Sequence, residues 1–186
     1  MAKTGSTAVR EELLRRFKVT IRPGRHRNDS PFPDFFTFVN CRNPYTRVPS
    51  LWWGLVGHGE VPPGIVNWVP FLPRRMPWMD FLDWYLVEQL KCPIQCLRHV
   101  DFYAKFRCDT ILRQEHLSDD FSALPFVQDP VTIPPTNIFS GTGSGPPPYS
   151  ELYDQAVADR LYEHSAADFT LLGYKRDSWK GLTNER

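Results

Sequence analysis

Phe35-Phe36-Thr37-Phe38-Val39-Asn40-Cys41 runs without a break into Arg42-Asn43-Pro44-Tyr45-Thr46-Arg47-Val48-Pro49-Ser50. The first seven residues are a continuous apolar run rich in strand formers. Such a run, closed by turn residues, reads as a strand buried on both faces, the kind found in parallel sheets. Asn43-Pro44 ends it, and Pro44 suits the first turn of a following helix, where no N–H is needed. That helix carries Val48, Leu51, Trp52 and Leu55. Pro49 inside it conflicts with helix geometry and predicts a kink or a late start. Arg42 and Ser50 thus follow a strand end, the place where open α/β sheets bind ligands. Both suit one anion, Arg by its planar fork and Ser by its hydroxyl.

The same alternation continues outward from this stretch. Residues 4–17 turn helical, with Val9, Leu13, Leu14 and Phe17 on one apolar stripe. Residues 19–22 (VTIR) are a short strand candidate, broken by Pro23-Gly24. Residues 57–77 are a long loop rich in Gly and Pro. Residues 78–90 read as a strong helix, with Phe81, Leu82, Tyr85, Leu86 and Leu90 in register. Residues 109–114 (DTILRQ) are another strand. Ser118 follows as an N-cap, with Asp119 and Asp120 in the first turn and Phe121 and Leu124 turned inward. Residues 125–148 form a second long loop. Residues 150–164 are amphipathic, with Leu152, Tyr153, Ala156, Val157 and Leu161 on one face. Short strands alternating with helices predict an α/β fold with a mainly parallel sheet.

Composition bounds the rest. A chain of 186 residues suits a single domain spanning 1–186, since two full domains would be cramped. The 18 prolines are about twice average usage, which excludes a simple helical bundle. A net charge of +1 gives no basic field for nucleic acid. There is no membrane-spanning run and no secretory signal at the N-terminus, so the cytoplasm is the expected compartment. Cys41, Cys92, Cys96 and Cys108 then read as reduced, mostly buried thiols. Cys92 and Cys96 lack a second ligand pair at metal spacing, so no metal is expected.

Lys3-Thr4-Gly5-Ser6-Thr7 leads directly into the first helix. Physically it is an anion cradle: Gly admits close backbone approach, the helix start offers free N–H groups, and Lys adds charge. It is not a Walker A loop. With residues 42–50 it describes a ligand that carries phosphates at both ends.

These two segments together resemble the sulfotransferase superfamily that uses 3′-phosphoadenosine 5′-phosphosulfate (PAPS). The first looks like that family's 5′-phosphosulfate loop and the second like its 3′-phosphate site, with Arg42 and Ser50 eight positions apart. Ile111-Leu112-Arg113-Gln114-Glu115-His116-Leu117 with Asp120-Phe121 is similar to the family's strand and acidic helix start. Tyr162, Asp168-Phe169 and Gly173-Tyr174 are similar to the C-terminal pattern of carbohydrate-type members and their bacterial and viral relatives. The resemblance spans residues 3–174. It departs at Ala8, where cytosolic members carry an adenine-stacking Trp, and ahead of Lys3, where members carry a buried strand and this sequence has Met1 and Ala2.

The resemblance implies a three-layer, P-loop-like fold, with a small mainly parallel sheet flanked by helices. It implies PAPS as sulfuryl donor, no metal, and in-line transfer to the hydroxyl of a small-molecule or glycan acceptor. Lys3 would neutralise the leaving 5′-phosphate, while Thr4, Gly5, Ser6 and Thr7 hold phosphate and sulfate oxygens. Arg42 and Ser50 would hold the 3′-phosphate. The family's base lies in the loop after its second strand, where this chain has His26 between two arginines that favour its neutral form. Asp34 and Glu60 are reserves. Arg47 reads as a second phosphate ligand or a helix-surface salt bridge. Glu115 reads as orienting a Lys or Arg near the cofactor or as a structural ion pair. His99, His116 and His164 read as structural or solvent-facing. Trp52, Trp53 and Trp78 read as packing anchors, Trp68 as an acceptor platform and Gly141–Gly145 as a flap. Two other readings stand beside this one: a P-loop small-molecule kinase, and a non-catalytic nucleotide-binding or structural relative.

Overall fold

The apolar run forms a strand, β1 (Phe38–Cys41), and the DTILRQ segment forms β2 (Thr110–Arg113). They pair in parallel, Phe38 with Thr110 through Cys41 with Arg113. This is a computed structural model; it describes residues 6–17, 36–57, 75–88, 99–106, 108–134 and 147–182. Within them the protein is mostly helical around this two-stranded parallel sheet. The expected strand at 19–22 lies outside the described residues.

The sheet is anchored at its amino end by Asp109, whose carboxylate accepts the Thr37 N–H at 2.6 Å and the Thr37 hydroxyl at 3.0 Å. One core cluster packs on it. Ala8 and Val9 from α1 (Ser6–Phe17), Leu112 of β2, and Phe121 of α5 (Leu117–Ser122) share that cluster with Leu124, Val131 and Ile133. The apolar stripe expected on α1 is only partly inward. Val9 is buried, but Leu14 and Phe17 are exposed and the buried face runs through Ala8 and Glu12. Glu12 remains ionised there because Arg15, and then Arg16, bond its carboxylate against the cost of burial. Ser118 is not an N-cap. It lies inside α5, and its Oγ accepts the Ile133 N–H at 3.0 Å, tying the following loop to the helix.

The second cluster is larger and almost wholly helical. It joins α2 (Pro44–Trp52) and its π-helical extension Trp53–Gly57 to α3 (Trp78–Glu88), α6 (Tyr149–Leu152) and α7 (Gln155–Leu172). Phe81, Leu82 and Tyr85 are buried as the spacing predicts. The amphipathic segment at 150–164 is two helices rather than one. Tyr153 is extended, and Asp154 caps α7 by accepting the Val157 N–H at 2.8 Å. Ala156 consequently faces outward and Ala158 inward.

Pro49 neither kinks α2 nor delays it. A proline at that position cannot donate to the Tyr45 carbonyl four residues back. The Tyr153 hydroxyl donates to that carbonyl instead, at 2.8 Å. One helix, α4 (His99–Phe106), has no counterpart in the sequence reading. Among the described residues no helix is long and apolar enough to cross a membrane.

Candidate functional site

Because β1 and β2 are parallel and in register, they end side by side. Arg42-Asn43 and Gln114-Glu115 leave the sheet at one edge. Asn43 starts α2: its Oδ1 accepts the Tyr45 N–H at 3.0 Å, and its carbonyl accepts Thr46 and Arg47 N–H at 2.9 Å. Its own N–H donates to Glu115 Oε1 at 2.9 Å, and its Nδ2 donates to Ser178 Oγ at 3.1 Å. The turn between strand and helix is therefore fixed from both β2 and the C-terminal segment.

Arg42 is half-buried at this edge. Its Nε donates to Thr46 Oγ1 at 2.8 Å, and its Nη2 donates to the Tyr149 hydroxyl at 3.1 Å. Thr46 and Ser50, four apart, lie along one side of α2, and Arg42, ahead of the Asn43 cap, reaches Thr46 from the preceding turn. A guanidinium has five N–H donors, and these two contacts leave others for an anion. Behind Arg42 lies His99, 2% exposed, whose Nε2 is 3.4 Å from the Arg42 N–H. Burial, and then the charge of Arg47, hold the His99 imidazole well below its ordinary titration range. Asp168 sets that histidine in place. Its carboxylate accepts the His99 N–H at 2.9 Å and the Val100 N–H at 2.7 Å, and so caps α4.

Glu115 completes the edge. The Tyr174 hydroxyl donates to its other carboxylate oxygen, and Thr46 Oγ1 lies 3.4 Å from the first. Burial, and then the Glu115 charge, raise the Tyr174 phenol far above its ordinary range. Gly173, at φ 73°, ends α7 in the left-handed conformation and turns the chain so that Tyr174 can reach Glu115. Cys41 is no nucleophile, because burial, with the Glu115 and Asp120 charges, pushes its thiol up to about 12.

Helix α1 approaches the same sheet. Ala8 and Val9 of its first turns share one core cluster with Leu112 of β2. Asn40 is the register partner of Leu112; it is 7% exposed and its Nδ2 has no hydrogen-bond partner. Ser6 and Thr7 are the first residues of α1. Lys3, Thr4, Gly5 and His26 lie outside the described residues, as do Asp34, His58, Glu60, Trp68 and residues 141–145. Ala8 is 4% exposed and belongs to the core rather than to a base-stacking surface. Beside α1, a cavity of about 320 Å³ is lined by Ala8, Glu11, Glu12, Arg15, Thr132 and Pro134.

The expectations for Arg47 and Glu115 are corrected, while those for His99, His116, His164, Trp52 and Trp78 hold. Arg47 is neither a surface salt bridge nor placed for phosphate: it is 1% exposed and its Nη1 donates to the Tyr85 hydroxyl at 3.2 Å. Among the described residues Glu115 receives neutral donors, from Asn43, Thr46 and Tyr174, rather than a Lys or Arg. His99 is a core residue, while His116 is exposed and His164 packs on Tyr85. Trp52 and Trp78 are packing anchors, their indoles donating to Met76 O at 2.7 Å and Leu152 O at 2.8 Å. The sequence reading missed Thr46 and Tyr149. Thr46 was findable, since it stands midway between Arg42 and Ser50 at helical spacing. Among the described residues no group of His, Cys, Asp and Glu could hold a metal ion. Comparison with protein-family models, with curated proteins and with solved structures returns no match.

Proposed function

We propose that the chain is a PAPS-dependent sulfotransferase acting on the hydroxyl of a carbohydrate, glycolipid or small metabolite in the cytoplasm. On this reading the fold is three-layer and P-loop-like. The carrying observation is Arg42 at the carboxyl end of a parallel strand pair, held by Thr46 and Tyr149, with Ser50 one turn beyond Thr46 on α2. The core that Ala8 and Val9 of α1 share with Leu112 of β2 supports a phosphate loop at the amino end of that helix.

Bound PAPS supplies an activated sulfuryl group on a phosphate leaving group. The protein's part is positioning and charge stabilisation, as in phosphoryl transfer. Arg42 and Ser50 hold the 3′-phosphate and so fix the nucleotide's register. Lys3 and the 4–7 backbone meet the 5′-phosphate as its charge grows. His26 takes the acceptor's hydroxyl proton as the acceptor oxygen bonds to sulfur and the bond from sulfur to the phosphate oxygen breaks. Adenosine 3′,5′-bisphosphate binds only the folded state and is expected to raise the melting temperature. No shift at millimolar ligand would sink the assignment. Arg42→Ala is expected to weaken that binding roughly ten- to a hundredfold, the worth of hydrogen bonds to a charged group. His26→Ala is expected to spare binding and remove turnover.

A non-catalytic relative is the second reading. It is favoured by the engagement of Arg42 with Thr46 and Tyr149, which also suits a structural tie. On that reading Arg42→Ala lowers the melting temperature and the bisphosphate has no effect. A kinase would instead respond to ATP with magnesium.

A further inference from the structure

We propose that Tyr149 is a ligand of the nucleotide's 3′-phosphate and sets the preference for a donor that carries one; this rests on the sulfotransferase reading above. Tyr149 is 107 residues from Arg42 in sequence, yet its hydroxyl accepts from Arg42 Nη2 at 3.1 Å. A phenol oxygen that accepts one hydrogen bond still has its own proton to donate. Among the described residues no acceptor takes that proton. The Tyr149 O–H therefore stands beside the remaining Arg42 N–H groups, two kinds of donor at one point, one from the turn ahead of α2 and one from α6.

The position of the hydroxyl is set by local stereochemistry. Pro147-Pro148 precedes Tyr149 directly, Pro148 stands at φ −54°, and α6 begins at Tyr149 itself. Leu152 and Tyr153, on the same short segment, are buried in the core with Tyr45 of α2. The ring is half-buried and cannot follow a ligand far. Because the hydroxyl is neutral, it adds direction rather than charge. It rewards a tetrahedral oxyanion next to Arg42 and gives nothing to a ligand with a bare ribose hydroxyl that leaves the seat unfilled.

The experiment is calorimetric titration of the full chain with adenosine 3′,5′-bisphosphate and with adenosine 5′-monophosphate. Wild type is expected to prefer the bisphosphate. Tyr149→Phe is expected to lose roughly ten- to a hundredfold in affinity for the bisphosphate and nothing for the monophosphate. Tyr149→Lys, with similar reach and N–H donors, is expected to keep the preference. Retention of the full preference by Tyr149→Phe overturns the proposal. Equal loss in the Phe and Lys variants, or loss of both nucleotides in step, assigns Tyr149 to packing and overturns it too. A wild type that binds neither nucleotide is a separate outcome, and it removes the sulfotransferase reading itself.

Discussion

His99 is 2% exposed, with its Nε2 turned to the Arg42 N–H and Arg47 near enough to oppose a second charge. It stays neutral in the folded protein, whereas in the unfolded chain it protonates near its ordinary 6.5. Below pH 6.5 the unfolded state therefore binds a proton that the folded state refuses. The stability from a neutral His99 is fully present above pH 6.5 and is lost as pH falls, by up to about 1.4 kcal/mol per pH unit. Urea midpoints between pH 7.5 and 5 are expected to fall in wild type and to flatten in His99→Gln; an equal fall in both would show another group at work. The carboxylates act in a lower window. Burial raises Asp120, but its bonds to Arg113 outweigh this and hold it below 3.8, so its contribution is lost only in stronger acid. The place of Arg42 at a strand end and of Ser50 in the following helix was legible in the sequence, because a strand-ending pattern is local. His99 was not, because the group that starts its helix is Asp168, 69 residues away. No Ser, Thr, Asp or Asn precedes it to announce a cap.

At the scale of the element, α2 shows how a local rule is overridden from a distance. Proline at position 49 leaves the Tyr45 carbonyl without its helical donor, and the sequence accordingly predicts a kink. The Tyr153 hydroxyl fills that vacancy, and the Tyr45 hydroxyl in turn donates to Arg176 O at 2.7 Å. Tyr153→Phe is expected to cost about 1–3 kcal/mol, because it orphans a buried carbonyl. The penalty should shrink in a Pro49→Ala background, where an N–H returns to serve Tyr45. Chemical denaturation of the four proteins in the cycle checks this. Equal penalties in both backgrounds would mean the hydroxyl acts through packing alone. The break between α6 and α7 is the same device seen from its other end. An unbroken helix through Tyr153 would carry the amphipathic pattern the sequence offers. An extended Tyr153 with Asp154 as cap is what lets this side chain reach α2.

At the scale of the whole molecule, the described residues form two core clusters. One carries α1 and β2, the other carries α2 with α3, α6 and α7. The parallel pairing of β1 with β2 was readable from an apolar run without alternation. The separation into two clusters was not, because it depends on which helix face meets which neighbour. A ligand bound at both ends would bridge the clusters. Hydrogen exchange is expected to slow together at residues 6–9 and 42–50 when adenosine 3′,5′-bisphosphate is added; slowing in one segment alone would show that the ligand touches one end only.

The anchoring of Arg42-Asn43 by Tyr149 and Ser178 has a consequence for the order of synthesis. These partners follow 107 and 135 residues later, and at ribosomal rates that is a delay of roughly five to thirty seconds. β2 and Glu115 come earlier, Glu115 72 residues after Asn43, but until Ser178 emerges the turn into α2 lacks its bond from Asn43 Nδ2. Helix α2 also has a bare carbonyl at Tyr45 until Tyr153 emerges. The segment that decides the fold is thus translated early and secured late. A nascent chain halted before Tyr149 would present α2 with its Tyr45 carbonyl unserved and Arg42 without its Tyr149 contact.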